Sequence, residues 1–203
     1  MYEHDMHPDH LMYTLQFQRL AIGEIYEGAS LSKLDPQYGE ANILEWIKQK
    51  KHFLVMTGPS GIGKTYFCSA LIPRFYGLTR DVKYFNERTL FSKVRAGIAR
   101  GGSDYLEALK CIIDAEFLII DDLASTGVND WRKEILFEII DQRYSSGKPT
   151  VFTSNVAVKS LSGVLGERSA SRLLDGKNTI VDLSKVQKYD NSLSQKKESP
   201  SGV

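Results

Sequence analysis

The segment GPSGIGKT, residues 58–65, constrains the fold of this chain more than any other stretch. It follows a short apolar run at 53–56 and precedes an apolar helical pattern at 66–72. A strand, a turn with the spacing Gly-x-x-x-x-Gly-Lys-Thr and a helix, in this order, form the context of a phosphate-binding P-loop. In such a loop, backbone N–H groups converge on phosphate oxygens at the N-terminus of the helix. The segment therefore predicts a nucleotide site.

The loop residues also indicate how a nucleotide would be held. Lys64 is predicted to reach the β- and γ-phosphates, and the Thr65 hydroxyl is predicted to ligate Mg²⁺. The loop glycines allow a tight turn and leave no β-carbon in the way of a phosphate. The predicted nucleotide-binding residues are Gly58, Pro59, Ser60, Gly61, Ile62, Gly63, Lys64, Thr65 and Tyr66.

Composition limits the other functions that are open to the chain. Its 203 residues suffice for one domain with a hydrophobic core. The net charge is +1, so nucleic-acid binding would need a local basic patch. Cys68 and Cys111 form no CxxC pair, which favours a reducing, cytoplasmic setting. No apolar run approaches about 20 residues and no signal-peptide pattern is present, so no membrane association is expected.

Strand patterns and helix patterns alternate along the chain. After the P-loop strand, strand patterns occur at 82–85, 116–122, 150–153 and 179–183. Helical patterns occur at 42–51, 87–100, 103–113, 129–144, 158–161 and 164–174. This alternation predicts a three-layer α/β fold, in which a five-stranded parallel sheet carries helices on both faces. Ligands bind such a sheet at the carboxyl ends of its strands.

Helix-breaking and helix-capping residues, together with changes in composition, predict where helices and domains begin and end. Pro73 and Gly77 are expected to end the P-loop helix, Ser103 to cap the next-but-one helix, and Asn129 or Asp130 to cap the long helix after it. Residues 1–45 are predicted to form a short, partly helical N-terminal segment, and 46–186 the core. The polar tail, 187–203, has little to bury and is predicted to be disordered.

Polar residues that suit phosphate chemistry follow the strand patterns. Asp121 and Asp122 end an apolar strand, where adjacent carboxylates repel each other unless a cation is present. In P-loop ATPases, the first acid helps to hold Mg²⁺, and the second is placed to orient or deprotonate the attacking water. Asn155, after the next strand, is predicted to contact the γ-phosphate or that water. Asn86 is either a restraint on Asp122 or a simple turn residue.

The motifs GPSGIGKT, LIIDDL, TSN and LGERSASRL together resemble the AAA+ ATPases of the DnaC/DnaI helicase-loader and IstB group. The N-terminal phrase IYEGASLSKLD resembles that group's entry into the ATPase core. The resemblance implies ATP and Mg²⁺ binding, slow ATP hydrolysis, contact with single-stranded DNA, and a replicative helicase or a transposase as partner. It also implies a homo-oligomer in the ATP-bound state. The matching arginines are Arg172, as the finger that reaches a neighbour's γ-phosphate, and Arg168, as its companion.

The sequence departs from this group at both ends. About forty-odd residues precede the core and carry no zinc-ligand cysteines, so the loaders' partner-binding N-terminal domain is expected to be absent or reduced. The segment after Leu183 is too short for a helical lid with its sensor arginine, so no C-terminal lid domain is expected. His4, His7 and His10 are spaced as a weak metal site or as a frayed, polar terminus.

A contact with single-stranded DNA is expected on the helix at 87–100. Cations with interleaved aromatic residues suit a single strand, whose phosphates pair and whose bases stack. The alternative is that the aromatic residue belongs to the core and the cations are solvated. The candidate residues are Phe91, Lys93, Arg95 and Arg100, with Tyr84 and Tyr105 nearby.

Two other functions stay open. GPSGIGKT also resembles the P-loop of guanylate kinase, which makes a small-molecule nucleotide kinase the rival enzyme, although neither an acceptor site nor an arginine-bearing lid is recognisable. A non-enzymatic adaptor, gated by a nucleotide, is the second alternative. The absence of an Asn-Lys-x-Asp segment argues against a GTPase.

Overall fold

Five parallel strands form one sheet in the order β2-β3-β4-β1-β5. The computed structural model describes residues 8–33, 40–49, 52–76, 78–79, 81–125, 127 and 129–186. The sheet confirms the predicted α/β architecture, and each predicted strand lies within about two residues of its observed position. The strands are β1 Phe53–Thr57, β2 Val82–Asn86, β3 Phe117–Leu123, β4 Thr150–Ser154 and β5 Thr179–Asp182.

Helices cover both faces of this sheet. One face carries α2 and α3, and the other carries the later helices. Short turns of other helix types lie at Gln18–Ile22, Glu24–Tyr26, Leu31–Lys33 and Val158–Ser160. The α-helices are α1 Pro8–Phe17, α2 Glu40–Gln49, α3 Lys64–Tyr76, α4 Glu87–Arg100, α5 Gly102–Asp114, α6 Asp130–Ser145, α7 Leu161–Leu165 and α8 Glu167–Leu173.

Alternation along the strands divides the core into two layers. In β1, Phe53 and Val55 pack with the helices α4 to α8, whereas Leu54 and Met56 pack with α2 and α3. All five β1 residues are buried, because a central parallel strand is covered on both faces. The P-loop therefore follows a strand that is paired with β4 and β5 and covered by helices on both faces.

The prediction that Pro73 ends the P-loop helix is wrong, because α3 continues through it to Tyr76. Proline has no N–H, so the carbonyl of Ser69, four residues earlier, loses its helical partner. The buried Gln18 replaces that partner, since its Nε2 donates to Ser69 O at 2.9 Å. The same nitrogen donates to Ala29 O at 3.0 Å, and Gln18 Oε1 accepts the Gly28 N–H at 2.9 Å. Gln18 thereby fastens the 18–29 segment to α3, beside the P-loop.

The predicted helix starts are partly corrected. Ser103 is not a cap, because α5 begins at Gly102 and its N-cap is Gly101, with a φ of 125° that favours glycine. Of the two caps proposed for α6, the structure has Asn129, whose side chain accepts the Arg132 N–H at 3.0 Å. Helical structure occurs in the N-terminal segment at Pro8–Phe17 and Gln18–Ile22. The predicted disorder of 187–203 lies outside the described residues and stays a prediction.

Candidate nucleotide site

A cavity of about 1210 Å³ opens at the carboxyl ends of the strands. The P-loop forms its floor, and the ends of β2, β3 and β4 form its back. Ile22, Ile25 and Tyr26 line one wall, from the segment that Gln18 fastens. Residues of α4 and of the start of α6 also line the cleft and include Arg88, Arg95 and Arg132. The predicted P-loop, acidic and Asn155 positions thus share one cleft.

The P-loop approaches the end of β5 closely. A β-carbon on Gly58 would lie 2.8 Å from Leu183 Cβ, so the position admits only glycine without a shift. Gly63 has a φ of 101°, which also favours glycine. Pro59, Ser60 and Gly61 are exposed at the turn, whereas Ile62 is fully buried and anchors the loop in the α2–α3 core layer.

Lys64 is buried at the start of α3, with 6% of its surface exposed. Its Nζ donates three hydrogen bonds: to Gly58 O at 2.8 Å, to Pro59 O at 2.9 Å and to Asn155 Oδ1 at 2.6 Å. Burial lowers the pKa of Lys64, and the nearby charges of Asp121 and Asp122 oppose that effect. The ammonium is therefore held over the loop by neutral oxygens, which phosphate oxygens can replace.

Asp121 is 3% exposed and is surrounded by neutral donors. Its Oδ2 accepts the Thr65 hydroxyl at 2.8 Å and the Tyr84 hydroxyl at 2.9 Å. Its Oδ1 accepts the Thr153 hydroxyl and, at 3.8 Å, the Cys68 thiol. Burial, reinforced by the charge of Asp121, raises the pKa of both Tyr84 and Cys68, so both groups stay protonated donors at neutral pH.

Asp122 turns toward the cleft at an irregularity in the sheet. The pairing of β3 with β4 shifts register between Ile120 and Leu123, and Asp122 has a φ of 58°. Such a bulge redirects side chains, and aspartate tolerates left-handed backbone better than most residues. The Asp122 N–H donates to Thr153 Oγ1 at 2.9 Å, and its Oδ1 accepts Asn155 Nδ2 at 2.6 Å. Thr153 therefore links the two acids.

The Asn155 amide joins Lys64 to Asp122, because its Oδ1 accepts from one and its Nδ2 donates to the other. The proposed restraint of Asp122 by Asn86 is not observed. Asn86 Oδ1 instead accepts the Thr89 N–H at 2.9 Å and caps α4. Asn86 lies in register with Asp121 at the end of β2, and its contact is local, which agrees with the turn-residue alternative rather than with a restraint on Asp122.

Arg168 and Arg172 lie together on α8 but do not line the cavity. Both guanidinium groups face α6. Arg168 lies 3.7 Å from the centre of the Phe137 ring. Arg172 Nε donates to Asp141 Oδ1 at 2.8 Å, and its guanidinium lies 5.1 Å from the centre of the Tyr144 ring. Arg168 and Arg172 therefore share one face of α8, which lies against α6.

The predicted DNA contact needs one correction. Phe91 is 2% exposed in the core, beneath the guanidinium of Arg132 at 4.9 Å and beside Trp131. A buried ring offers no face to a base, so a stacking role for Phe91 is wrong. Lys93 is half-buried, and Arg95 and Arg100 are exposed on the same helix.

The donor set at Asp121 fits a magnesium ion that is also bound by phosphates. Carboxylate and hydroxyl oxygens are hard ligands, and Mg²⁺ in nucleotide sites uses few protein ligands besides phosphates and waters. Across the described ranges, no side-chain cation lies within 4.0 Å of the Asp121 or Asp122 carboxylate. Nor does this part of the chain contain a group of three or more His, Cys, Asp or Glu residues that would hold a metal alone. His4 and His7 lie outside the described residues, as does the His10 side chain.

The sequence did not predict the site contacts of three residues. Thr153 and Tyr26 were not singled out, and Tyr84 was assigned to DNA rather than to Asp121. Tyr26 lines the cleft, and burial raises the pKa of its hydroxyl, which contacts Thr65. Hydroxyl residues at strand ends were the available signal, but the strand order that brings them to Asp121 appears only in the folded sheet.

Comparison with known proteins matches most of this chain to one protein family. A family model described as IstB-like ATP binding protein matches residues 20–201. The ATP-binding protein of insertion sequence IS1162 from Pseudomonas fluorescens is 31% identical over 112 residues, which are 55% of this chain and 47% of that protein. Such relatives are therefore matched over about half of their length.

Solved structures share the fold. The crystal structure of the DnaC helicase loader superposes with a TM-score of 0.68 at 23% identity, covering 78% of this chain and 98% of that one. The replication initiator DnaA, bound to AMPPCP and single-stranded DNA, gives a TM-score of 0.64 at 17% identity, covering 77% and 50%. None of the helices in the described ranges has the length and apolar character needed to cross a bilayer.

Proposed function

Because the chain belongs to the IstB-like ATP-binding protein family, as its motifs predicted, we propose that it hydrolyses ATP to ADP and phosphate with Mg²⁺. The observation that carries this proposal is the convergence of Lys64, Thr65, Asp121, Asp122 and Asn155 on one cleft. These side chains come from the P-loop and the ends of β3 and β4. Lys64 supplies a cation, and Thr65 and Asp121 supply a pair of metal ligands. Asp122 adds a carboxylate and Asn155 an amide.

The proposed roles follow from the contacts of each side chain. Lys64 exchanges its carbonyl and amide acceptors for phosphate oxygens, to which its charge is better matched. Bound Mg²⁺, held by Thr65 and Asp121, would neutralise the developing phosphoryl charge. Asp122, facing the cleft, orients or deprotonates the attacking water. Asn155 contacts the γ-phosphate, a role supported by its hydrogen bonds to both Lys64 and Asp122.

Product analysis tests this proposal against its rivals. Purified protein with ATP and Mg²⁺ should release ADP and inorganic phosphate without any acceptor. Phosphate that appears on an added nucleoside monophosphate would favour a nucleotide kinase instead. ATP binding with no product of either kind would favour the adaptor.

Asp122→Asn is expected to retain ATP binding and to lower turnover about 10²–10⁴-fold, the usual worth of a positioned general base. Asparagine keeps the shape and also tolerates the φ of 58° at this position, so the change adds little backbone strain. Single-turnover hydrolysis and calorimetric ATP binding measure the two quantities separately. Turnover at the wild-type rate would contradict the role given to Asp122. Asp121→Asn is the comparison, because it should raise the Mg²⁺ requirement instead.

The partner of this ATPase is proposed from its family. Membership in the IstB-like family, and the similarity to an insertion-sequence protein, favour a transposase as partner. The DnaC-like fold leaves a replicative helicase as the second candidate. Either role implies assembly on DNA as an ATP-bound homo-oligomer, with Arg172 of one subunit completing the site of the next. A pull-down with the intact chain and ATP would identify which partner is retained.

Single-stranded DNA binding is proposed for three cations of α4, of which Arg95 and Arg100 are exposed and Lys93 is half-buried. DnaA, which shares this fold, has been solved with single-stranded DNA. Replacing Lys93, Arg95 and Arg100 with alanine should weaken binding and flatten its salt dependence by about 2 units of log K per log salt, at about 0.7 per phosphate contact. Fluorescence anisotropy over a salt series measures this slope.

The matched control for the DNA experiment replaces three exposed cations outside α4 and has the same change in net charge. They are Lys48, Lys159 and Lys177. It should leave the slope unchanged. An equal loss of slope in both variants would show a general charge effect and would move the DNA site away from α4.

A further inference from the structure

Tyr84 makes a contact that the family motifs do not include. It lies on β2, outside the P-loop and outside the acidic motif, yet its hydroxyl donates to Asp121 Oδ2 at 2.9 Å. Thr65, the predicted metal ligand, donates to the same oxygen at 2.8 Å. Two hydroxyl groups from different elements thus converge on one carboxylate oxygen.

The sheet makes this contact possible. β2 and β3 are paired in parallel, with Asn86 opposite Asp121 and Tyr84 opposite Ile119. Tyr84 therefore starts two residues before the level of Asp121, and its long side chain carries the hydroxyl up to the carboxylate. The ring packs against the core layer formed with α2 and α3, so the hydroxyl is delivered from a supported position.

The other oxygen of the Asp121 carboxylate also accepts a hydrogen bond from a hydroxyl group. Asp121 Oδ1 accepts the Thr153 hydroxyl from β4, on the other side of β3. Asp121 is thus clamped from both neighbouring strands, and its orientation does not depend on a cation. Tyr84 also lines the cleft, so its hydroxyl lies at the boundary between Asp121 and the nucleotide space.

We propose that Tyr84 is a positioning residue for the metal site, which holds the Asp121 carboxylate in the orientation that receives Mg²⁺ with the nucleotide. The inference rests on the proposed function, since it takes Thr65 and Asp121 as the metal-binding pair. Partners that orient metal ligands typically contribute 10–100-fold to metal affinity. The hydroxyl of Tyr84, rather than its ring, supplies this effect.

Tyr84→Phe tests the proposal because it removes the hydroxyl and keeps the ring. Binding of a fluorescent ATP analogue is titrated with Mg²⁺, and binding of Mn²⁺ in the presence of the analogue is followed by electron paramagnetic resonance. The half-saturating concentration of either metal should rise about 10-fold or more. Affinity for the analogue in EDTA should stay at the wild-type value, because Tyr84 acts through Asp121 and not on the nucleotide.

The control is Tyr76→Phe, which removes a hydroxyl from another half-buried tyrosine on the same core layer, outside the cleft. It should change neither quantity. An unchanged metal requirement in Tyr84→Phe would overturn the proposal, and so would an equal loss of affinity with and without metal, which would indicate a general disturbance of the cleft. Binding of the analogue by the wild-type protein without any metal dependence would contradict the proposed function itself. The inference about Tyr84 would then be overturned as well, because it depends on that function.

Discussion

Arg172→Ala is expected to lower ATP turnover about 10³–10⁵-fold and to leave ATP binding nearly unchanged, as for an arginine supplied by a neighbouring subunit. The structure supports such a role through the way Arg172 is held. Asp141 accepts a hydrogen bond from Arg172 Nε, and the Tyr144 ring lies beside the guanidinium. The Arg172 side chain is 44% exposed. Within the described residues, the two terminal amino groups of Arg172 make no hydrogen bond, so they are available to a phosphate on another subunit.

Arg172→Lys is the conservative comparison and should recover only part of the activity. Lysine restores the charge but lacks the planar guanidinium, which is anchored at Nε and presents its two terminal amino groups as donors. Arg168→Ala is expected to have a smaller effect, because Arg168 stacks on Phe137 and has no acidic partner among the described residues. Equal losses in all three variants would indicate that α8 is disturbed as a whole.

Mixing two inactive variants tests the action between subunits. Lys64→Ala lacks a working P-loop but keeps Arg172, and Arg172→Ala has the reverse defect. At some interfaces of a mixed oligomer an intact P-loop would face an intact arginine, so part of the activity should return. A mixture of Lys64→Ala with Asp122→Asn should stay inactive, since both changes damage the same half of the site. No recovery in the first mixture, once co-assembly is demonstrated, would contradict the role of Arg172 between subunits.

Lys64→Ala is expected to weaken ATP binding about 10²–10⁴-fold. The ammonium now makes three hydrogen bonds within the protein, and in the complex at least two of them would go to phosphate oxygens. Hydrogen bonds to charged groups contribute about 1.5–3 kcal/mol each, and 1.4 kcal/mol corresponds to a tenfold change in affinity. Isothermal calorimetry with ATP and Mg²⁺ measures the loss directly.

Lys48→Ala, on an exposed position of α2, is the matched control and should bind ATP normally. Because Lys64 also bridges Gly58, Pro59 and Asn155, thermal unfolding of the variant without nucleotide must be compared with wild type. A variant that melts like wild type and still binds ATP with undiminished affinity would show that the P-loop has been misinterpreted.

Local patterns were sufficient for the predictions that succeeded. The P-loop and Asn155 each follow a strand directly, and the acidic pair lies near the end of β3. The alternation of strand and helix patterns therefore placed all three at the same edge of a parallel sheet. The five strands were found because buried parallel strands appear as short apolar runs between turns. The helix from Glu87 to Arg100 was predicted with its observed limits from the helical spacing of its apolar residues and from Gly101, which follows its end.

Contacts between distant segments were outside the reach of such patterns. Pro73 was expected to end a helix, but Gln18, 51 residues away from Ser69, supplies the missing donor. Phe91 was a candidate for DNA contact with the core as the alternative, and its burial beside Trp131 and Arg132 places it in the core. Arg143 belonged to no predicted site, yet it is fully buried and donates to the carbonyls of Ile113, Ala115 and Pro149.

The sequence by itself therefore determined the type of site, and the tertiary structure decided how that site is held. Phosphate binding needs residues that are close in sequence, since one loop and one helix N-terminus supply most of the donors. Orientation of Asp121 needs hydroxyl groups from two strands and from helix α3, because a buried carboxylate must find its hydrogen-bond donors wherever the fold brings them. Tyr84, Thr65 and Thr153 reach Asp121 only after the strand order places β3 between β2 and β4.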